Sequence, residues 1–123
     1  MEEKRSVLIV ESNIELLRRI TRGFDEAGYL VLKAVTGKGG RTILRKAQPD
    51  LIIVSCTLPD ESCLKICQEI RESPNFASAR ILISVADESL LSMFSDSDLS
   101  MFDGMFNLKN THWLDLVFSG SNP

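Results

Sequence analysis

The stretch PDLIIVSCTLPDESCL, Pro49 to Leu64, decides the fold. Leu51–Val54 is a continuous apolar run of strand length, rich in β-branched residues, of the kind that suits a strand buried on both faces of a parallel sheet. It runs into a turn at Pro59 and then into a helix, LKICQEIRES, which Pro74 breaks. Ser55 stands at the strand's last position, on the carboxyl edge where open α/β sheets place ligands and chemistry.

Working outward, SVLIV (6–10) has the same buried-strand character. SNIE (12–15) has the form of a capping box, with Ser12 set to accept from the Glu15 backbone N–H while the Glu15 side chain reaches back. Ile14, Leu17, Ile20 and Phe24 recur at helical spacing, and Gly28 stops that helix. YLVLKAV (29–35) is a second strand, and Gly37, Gly39 and Gly40 form the turn before a helix carrying Ile43 and Leu44. RILISVA (80–86) is a fourth strand, followed by a helix DESLLSMF with Asp87 as N-cap. GMFNL (104–108) is a short fifth strand, and THWLDLVFSG (111–120) a last helix. Strands alternating with helices in this way give a doubly wound α/β sandwich, because each parallel crossover needs a helix to span it. At 123 residues the chain is expected to form a single domain over residues 1–123, with its core at about 6–118.

A content of 44% hydrophobic and 25% charged residues is ordinary for a globular protein, and no apolar run approaches the roughly 20 residues of a membrane helix. The start MEEKRS carries both signs of charge and leads directly into a strand, unlike a secretory signal. Three cysteines argue against a disulfide framework and for a reducing compartment, so the expected location is cytoplasmic. The net charge of -3 conceals an asymmetry: Met1–Ala47 holds ten Lys/Arg against six acids, whereas Asp87–Pro123 holds one Lys against six. The basic end suits solvated helix faces, and an acidic end with no overall positive excess argues against nucleic-acid binding.

VLIVESN (7–13) and PDLIIVSCTLPD (49–60), in this order of elements, resemble the receiver domain of bacterial response regulators from Ser6 to about Phe118. The resemblance implies a flavodoxin-like sheet of strand order 2-1-3-4-5 with an acidic pocket at its carboxyl edge. In such domains an aspartate takes a phosphoryl group from a histidine kinase with the help of a divalent cation. Carried over residue by residue, the acidic pair after the first strand falls on Glu11 and Ser12, and the acceptor aspartate on Ser55. The hydroxyl residue closing the fourth strand falls on Val85, or on Ser84 if the alignment slips by one. The lysine closing the fifth strand falls on Leu108, with Lys109 beside it, and the aromatic of that strand on Met105. The small residue beyond the acceptor falls on Cys63.

Magnesium needs hard oxygen ligands in near-octahedral geometry, and Glu11 alone is a poor site. A serine hydroxyl is weakly nucleophilic until a base activates it. The expectation is therefore a pseudo-receiver: not an enzyme, binding magnesium weakly or not at all, and acting as a phosphorylation-independent protein-interaction module. The alternative is a phosphotransfer-competent receiver using Asp60 or Glu61 as a displaced acceptor, with Glu11 organising a weak metal site. The contact face expected from the resemblance is built of the fourth helix, fifth strand and fifth helix, with Met93, Phe94, Met105, Phe106 and Trp113 as anchors. Asp96, Asp98, Asp103 and Asp115 rim it, which suits a basic protein surface, a second copy of the chain being another occupant. Neither nucleic acid nor membrane is an expected partner. Cys56, Cys63, Cys67 and His112 lack metal-site spacing and are expected to be packed thiols and a lone imidazole. TGKGGRT (36–42) lacks the spacing of a phosphate-binding loop, and ESNIE (11–15) lacks the glycines to wrap a flavin phosphate.

Overall fold

A computed structural model describes residues 5–76, 79–85 and 88–107. Five parallel strands, β1 (Ser6–Val10), β2 (Leu30–Ala34), β3 (Leu51–Ser55), β4 (Arg80–Val85) and β5 (Gly104–Asn107), form one sheet in the order β2-β1-β3-β4-β5. The helices between them are α1 (Ile14–Glu26), α2 (Gly37–Leu44), α3 (Cys63–Glu72) and the short α4 (Asp96–Leu99). Single 3-10 segments run over Pro74–Phe76 and Glu88–Met93.

Alternation along the central strands divides the core into two apolar layers. Leu8, Val10, Ile52, Val54, Ile81, Ile83 and Val85 face one side, where Cys63, Ile66, Cys67 and Ile70 of α3 cover them with Phe76 and Phe102. Val7, Ile9, Leu51, Ile53 and Leu82 face the other, under Leu17, Ile20 and Phe24 of α1. All five residues of β3 are buried, as its unbroken apolar run requires.

α1 starts one residue later than the capping-box pattern predicts. Asn13 is its N-cap, accepting from Leu16 N at 3.1 Å, while Ser12 Oγ donates to Thr57 O at 3.3 Å. The reason lies upstream: Glu11 Oε2 accepts from Asn13 N at 3.1 Å and so does what Glu15 was expected to do. α1 ends at Glu26 with Ala27 as its C-cap, and Gly28 turns the chain with a φ of +88°, a conformation that side chains disfavour.

The three glycines at 37–40 lie inside α2, not in a turn before it. Thr36 caps that helix by accepting from Gly39 N at 2.9 Å. Close packing explains the glycines: a Cβ on Gly37 would sit 2.6 Å from Glu61 Cγ, and one on Gly40 would sit 2.9 Å from Val10 Cγ2. The segment expected as one helix after β4 is a 3-10 segment over Glu88–Met93, followed by α4. Ser95 opens α4 with a reciprocal capping box to Asp98, and this interrupts any continuous helix. Asp87, proposed as an N-cap, and the last helix lie outside the described residues.

One side chain ties α3 to the far edge of the sheet. Arg71 donates from Nε to Met101 O (2.8 Å), from Nη1 to Ala79 O (3.1 Å) and from Nη2 to Asp103 Oδ2 (2.7 Å). The same Asp103 oxygen accepts from Ile81 N at 2.7 Å.

The shifted cap is testable by chemical denaturation. Asn13→Ala is expected to cost on the order of 1 kcal/mol, Asn13→Asp close to nothing, and Ser12→Ala clearly less than Asn13→Ala. Equal losses from the two alanine variants would return the cap to Ser12.

Candidate functional site

At the carboxyl edge of the sheet, the ends of β1, β3 and β4 converge on a small polar cluster. Glu11 follows β1, is 2% exposed, and is held by its backbone N–H to Ala34 O at 3.0 Å. Ser55 ends β3 and is equally buried. Its Oγ accepts from Thr57 N at 3.2 Å and lies 3.4 Å from Thr57 Oγ1. Because Ser12 donates to Thr57 O, Thr57 joins the turn after β1 to the turn after β3.

β4 supplies a second hydroxyl. Ser84 is in register with Ser55, and Cys56 N donates to Ser84 O at 2.9 Å. Ser84 Oγ is buried and has no hydrogen-bond partner among the described residues. Val85 instead packs into the apolar layer with Ile83, so the hydroxyl beside Ser55 belongs to Ser84. Leu108 and Lys109, the other expected pocket residues, lie outside the described residues.

The remaining carboxylates of the edge are engaged with α2. Asp60 accepts from Gly37 N at 3.0 Å and from Lys38 N at 3.1 Å, one oxygen to each. These N–H groups favour the charged form and hold the Asp60 carboxyl below its ordinary value of 3.8. Glu61 pairs with Arg41, whose Nη2 also lies 2.9 Å from Glu69 Oε2. Asp60 and Glu61, expected only as displaced acceptors, thus have a structural duty, and the signal for Asp60 is the run of backbone donors that a glycine-rich helix start leaves free.

Among the described residues there is no group of three or more His, Cys, Asp or Glu that could hold a metal ion. The loop from Cys56 to Leu64 forms one wall of a groove of about 570 Å³, with Leu90, Met93 and Phe94 opposite. On the expected contact face Met93 is 75% and Met105 36% exposed. Phe94 is half-buried, edge-on to Phe102 with ring centroids 6.0 Å apart, so it serves the core as well as the surface. The side chain of Phe106 and the whole of Trp113 lie outside the described residues.

This sheet order, with a polar edge after β1, β3 and β4, accompanies a match to one family: the response regulator receiver domain model aligns with residues 7–101. The chain belongs to the response regulator receiver domain family. The receiver is 33% identical over 66 residues to the TorCAD operon transcriptional regulatory protein TorR of Escherichia coli, a match covering 54% of this chain and 29% of TorR. It is also 33% identical over 92 residues to hybrid signal transduction histidine kinase D of Dictyostelium discoideum, covering 73% of this chain and 6% of the kinase. The receiver thus spans less than a third of these relatives. Among solved structures it resembles the chemotaxis response regulator CheY4 of Vibrio cholerae (TM-score 0.81, 19% identity, 94% and 95% of the two chains). The response regulator TrrA of Thermotoga maritima, in complex with Mg(2+)-BeF, is similar (TM-score 0.79, 21% identity, 94% and 95%). No helix among the described residues is long and apolar enough to cross a membrane.

Asp60 gives a pH test of the link between the β3–α3 loop and α2. Its folded-state pKa is depressed, so its contribution is present above 3.8 and is lost as pH falls through the lower folded value. The amide NMR shifts of Gly37 and Lys38 are expected to titrate together with a midpoint below 3.8, and Asp60→Asn should remove that titration. A midpoint at or above the ordinary value would mean that the two hydrogen bonds do not form in solution.

Proposed function

We propose that this receiver domain of two-component signalling is a pseudo-receiver, a non-enzymatic module that binds a protein partner in the cytoplasm without being phosphorylated. The observation that carries the reading is the Ser55 hydroxyl at the carboxyl end of β3, buried and bonded to Thr57, where the family's acceptor carboxylate is aligned. Phosphoryl transfer needs a nucleophile in line and a metal to neutralise charge on the phosphoryl oxygens. Among the described residues Glu11 is the one carboxylate of the cluster, and its Oε2 is bonded to Asn13 N. Ser55 and Ser84 add neutral hydroxyls only. A single carboxylate among neutral hydroxyls does not fit a magnesium ion, which asks for several hard, charged oxygens. Asp60 and Glu61, the displaced acceptors of the alternative, are occupied by α2.

The contact face is assigned to the region of α4 and β5. Met93 and Met105 supply exposed, adaptable apolar groups, and Asp96 and Asp98 in the first turn of α4 supply negative charge, Asp103 being paired with Arg71. A partner with a basic rim suits this arrangement, and its association should weaken with salt.

Incubation with acetyl phosphate and magnesium, read by intact mass, tests the reading. No adduct is expected on the parent chain, and Ser55→Asp alone should not create one, because the second acid is still missing. A hydroxylamine-labile phosphoryl group on Asp60 or Glu61 would establish the phosphotransfer-competent alternative instead.

A further inference from the structure

Cys56 and Cys63 bracket the loop that leaves β3, and their Sγ atoms lie 3.8 Å apart, within reach of a thiol–thiol hydrogen bond. Disulfide bond length is about 2.05 Å, so closure asks for a movement of less than about 2 Å. Both cysteines line the groove beneath Leu90, Met93 and Phe94, which admits a small molecule to the pair. Cys56 is partly buried; Cys63, the first residue of the ten-residue α3, is 3% exposed and is reached through the groove it lines.

We propose that Cys56 and Cys63 are a redox-active dithiol that closes to a disulfide next to Ser55, with a low-molecular-weight disulfide as oxidant. The two thiols are unlike. Cys63 is held below the ordinary thiol range by a hydrogen bond from Cys56 and by the N–H groups at the start of α3, and Cys56 is pushed up in return because the shared proton stays with it. Cys67, fully buried, is pushed up to about 12 by burial and by its neighbour Cys63, and it does not line the groove. Cys63 is therefore the attacking thiolate and Cys56 the resolving thiol.

The steps balance. Cys63 Sγ⁻ attacks one sulfur of the small disulfide, its S–S bond breaks, and one small thiolate leaves. Cys56 gives up its proton and attacks Cys63 Sγ, displacing the second small thiolate. The protein loses two electrons and two protons, and the small disulfide is reduced to two thiols.

Closure would fix both ends of the Thr57–Ser62 loop. That loop holds Ser12 through Thr57, the Gly37 and Lys38 amides through Asp60, and Arg41 through Glu61. Oxidation would thus rigidify the edge of the sheet that phosphorylation acts on in the family, and the inference needs neither phosphotransfer nor a bound partner.

The test is equilibration of the full chain with glutathione buffers of rising oxidised fraction, then alkylation, intact mass and peptide mapping. The expected product is lighter by two hydrogens, links Cys56 to Cys63, and shows severalfold slower exchange of the Gly37 and Lys38 amides. Cys67→Ser should behave as the parent does, and Cys56→Ser should stop at a glutathione adduct on Cys63. A bridge to Cys67, a stable adduct on the parent chain, or thiols that stay reduced in excess oxidised glutathione would each overturn the proposal.

Discussion

The burial of β3 on every side is the constraint on which the rest depends. Its backbone is paired to β1 and β4, and its side chains alternate between two apolar layers, so none of its first four residues carries a polar side chain. The first polar side chain comes at Ser55, where the strand leaves the sheet. Chemistry in this molecule is therefore confined to one edge, and what happens there is set by the few residues that follow β1, β3 and β4.

At that edge two carboxylates, Glu11 and Asp60, act as backbone acceptors, while Glu61 pairs with Arg41. Glu11 takes the Asn13 N–H, and Asp60 takes two N–H groups at the start of α2. A carboxylate bonded to helix-start amides sits in a favourable field of partial positive charge and loses it on moving to a metal. The glycines of α2 belong to the same arrangement, since Gly37 leaves the space that Glu61 fills.

The strands and their order were legible because continuous apolar runs are strong signals and the paired motifs at 7–13 and 49–60 set the topology. Local polar choices were less so. Ser12 and Asn13 are both good caps, and what selects Asn13 is Glu11, buried two residues before it. Gly37 and Gly40 suggested a turn by composition, but packing against Glu61 and Val10 keeps them in a helix. Val85 and Ser84 could not be separated by spacing alone; in the fold Ser84 is in register with Ser55, while Val85 packs into the apolar layer. The proximity of Cys56 and Cys63 has no spacing signature, because it arises from a loop that turns back at Pro59, and sequence shows only seven intervening steps.

The Arg71 fork has a consequence for the order in which the molecule assembles. Two of its acceptors, Met101 O and Asp103 Oδ2, lie 30 and 32 residues downstream, while Ala79 O lies only 8 away. Until β4 has docked on β3 and the chain has returned toward β5, the guanidinium can meet only its near acceptor. Long-range closures of this kind are entropically costly and form after local ones. Arg71 is thus a latch for the β5 edge: it registers the completed sheet, and a lysine there, with one point charge and no planar fork, would not hold the same three acceptors at once.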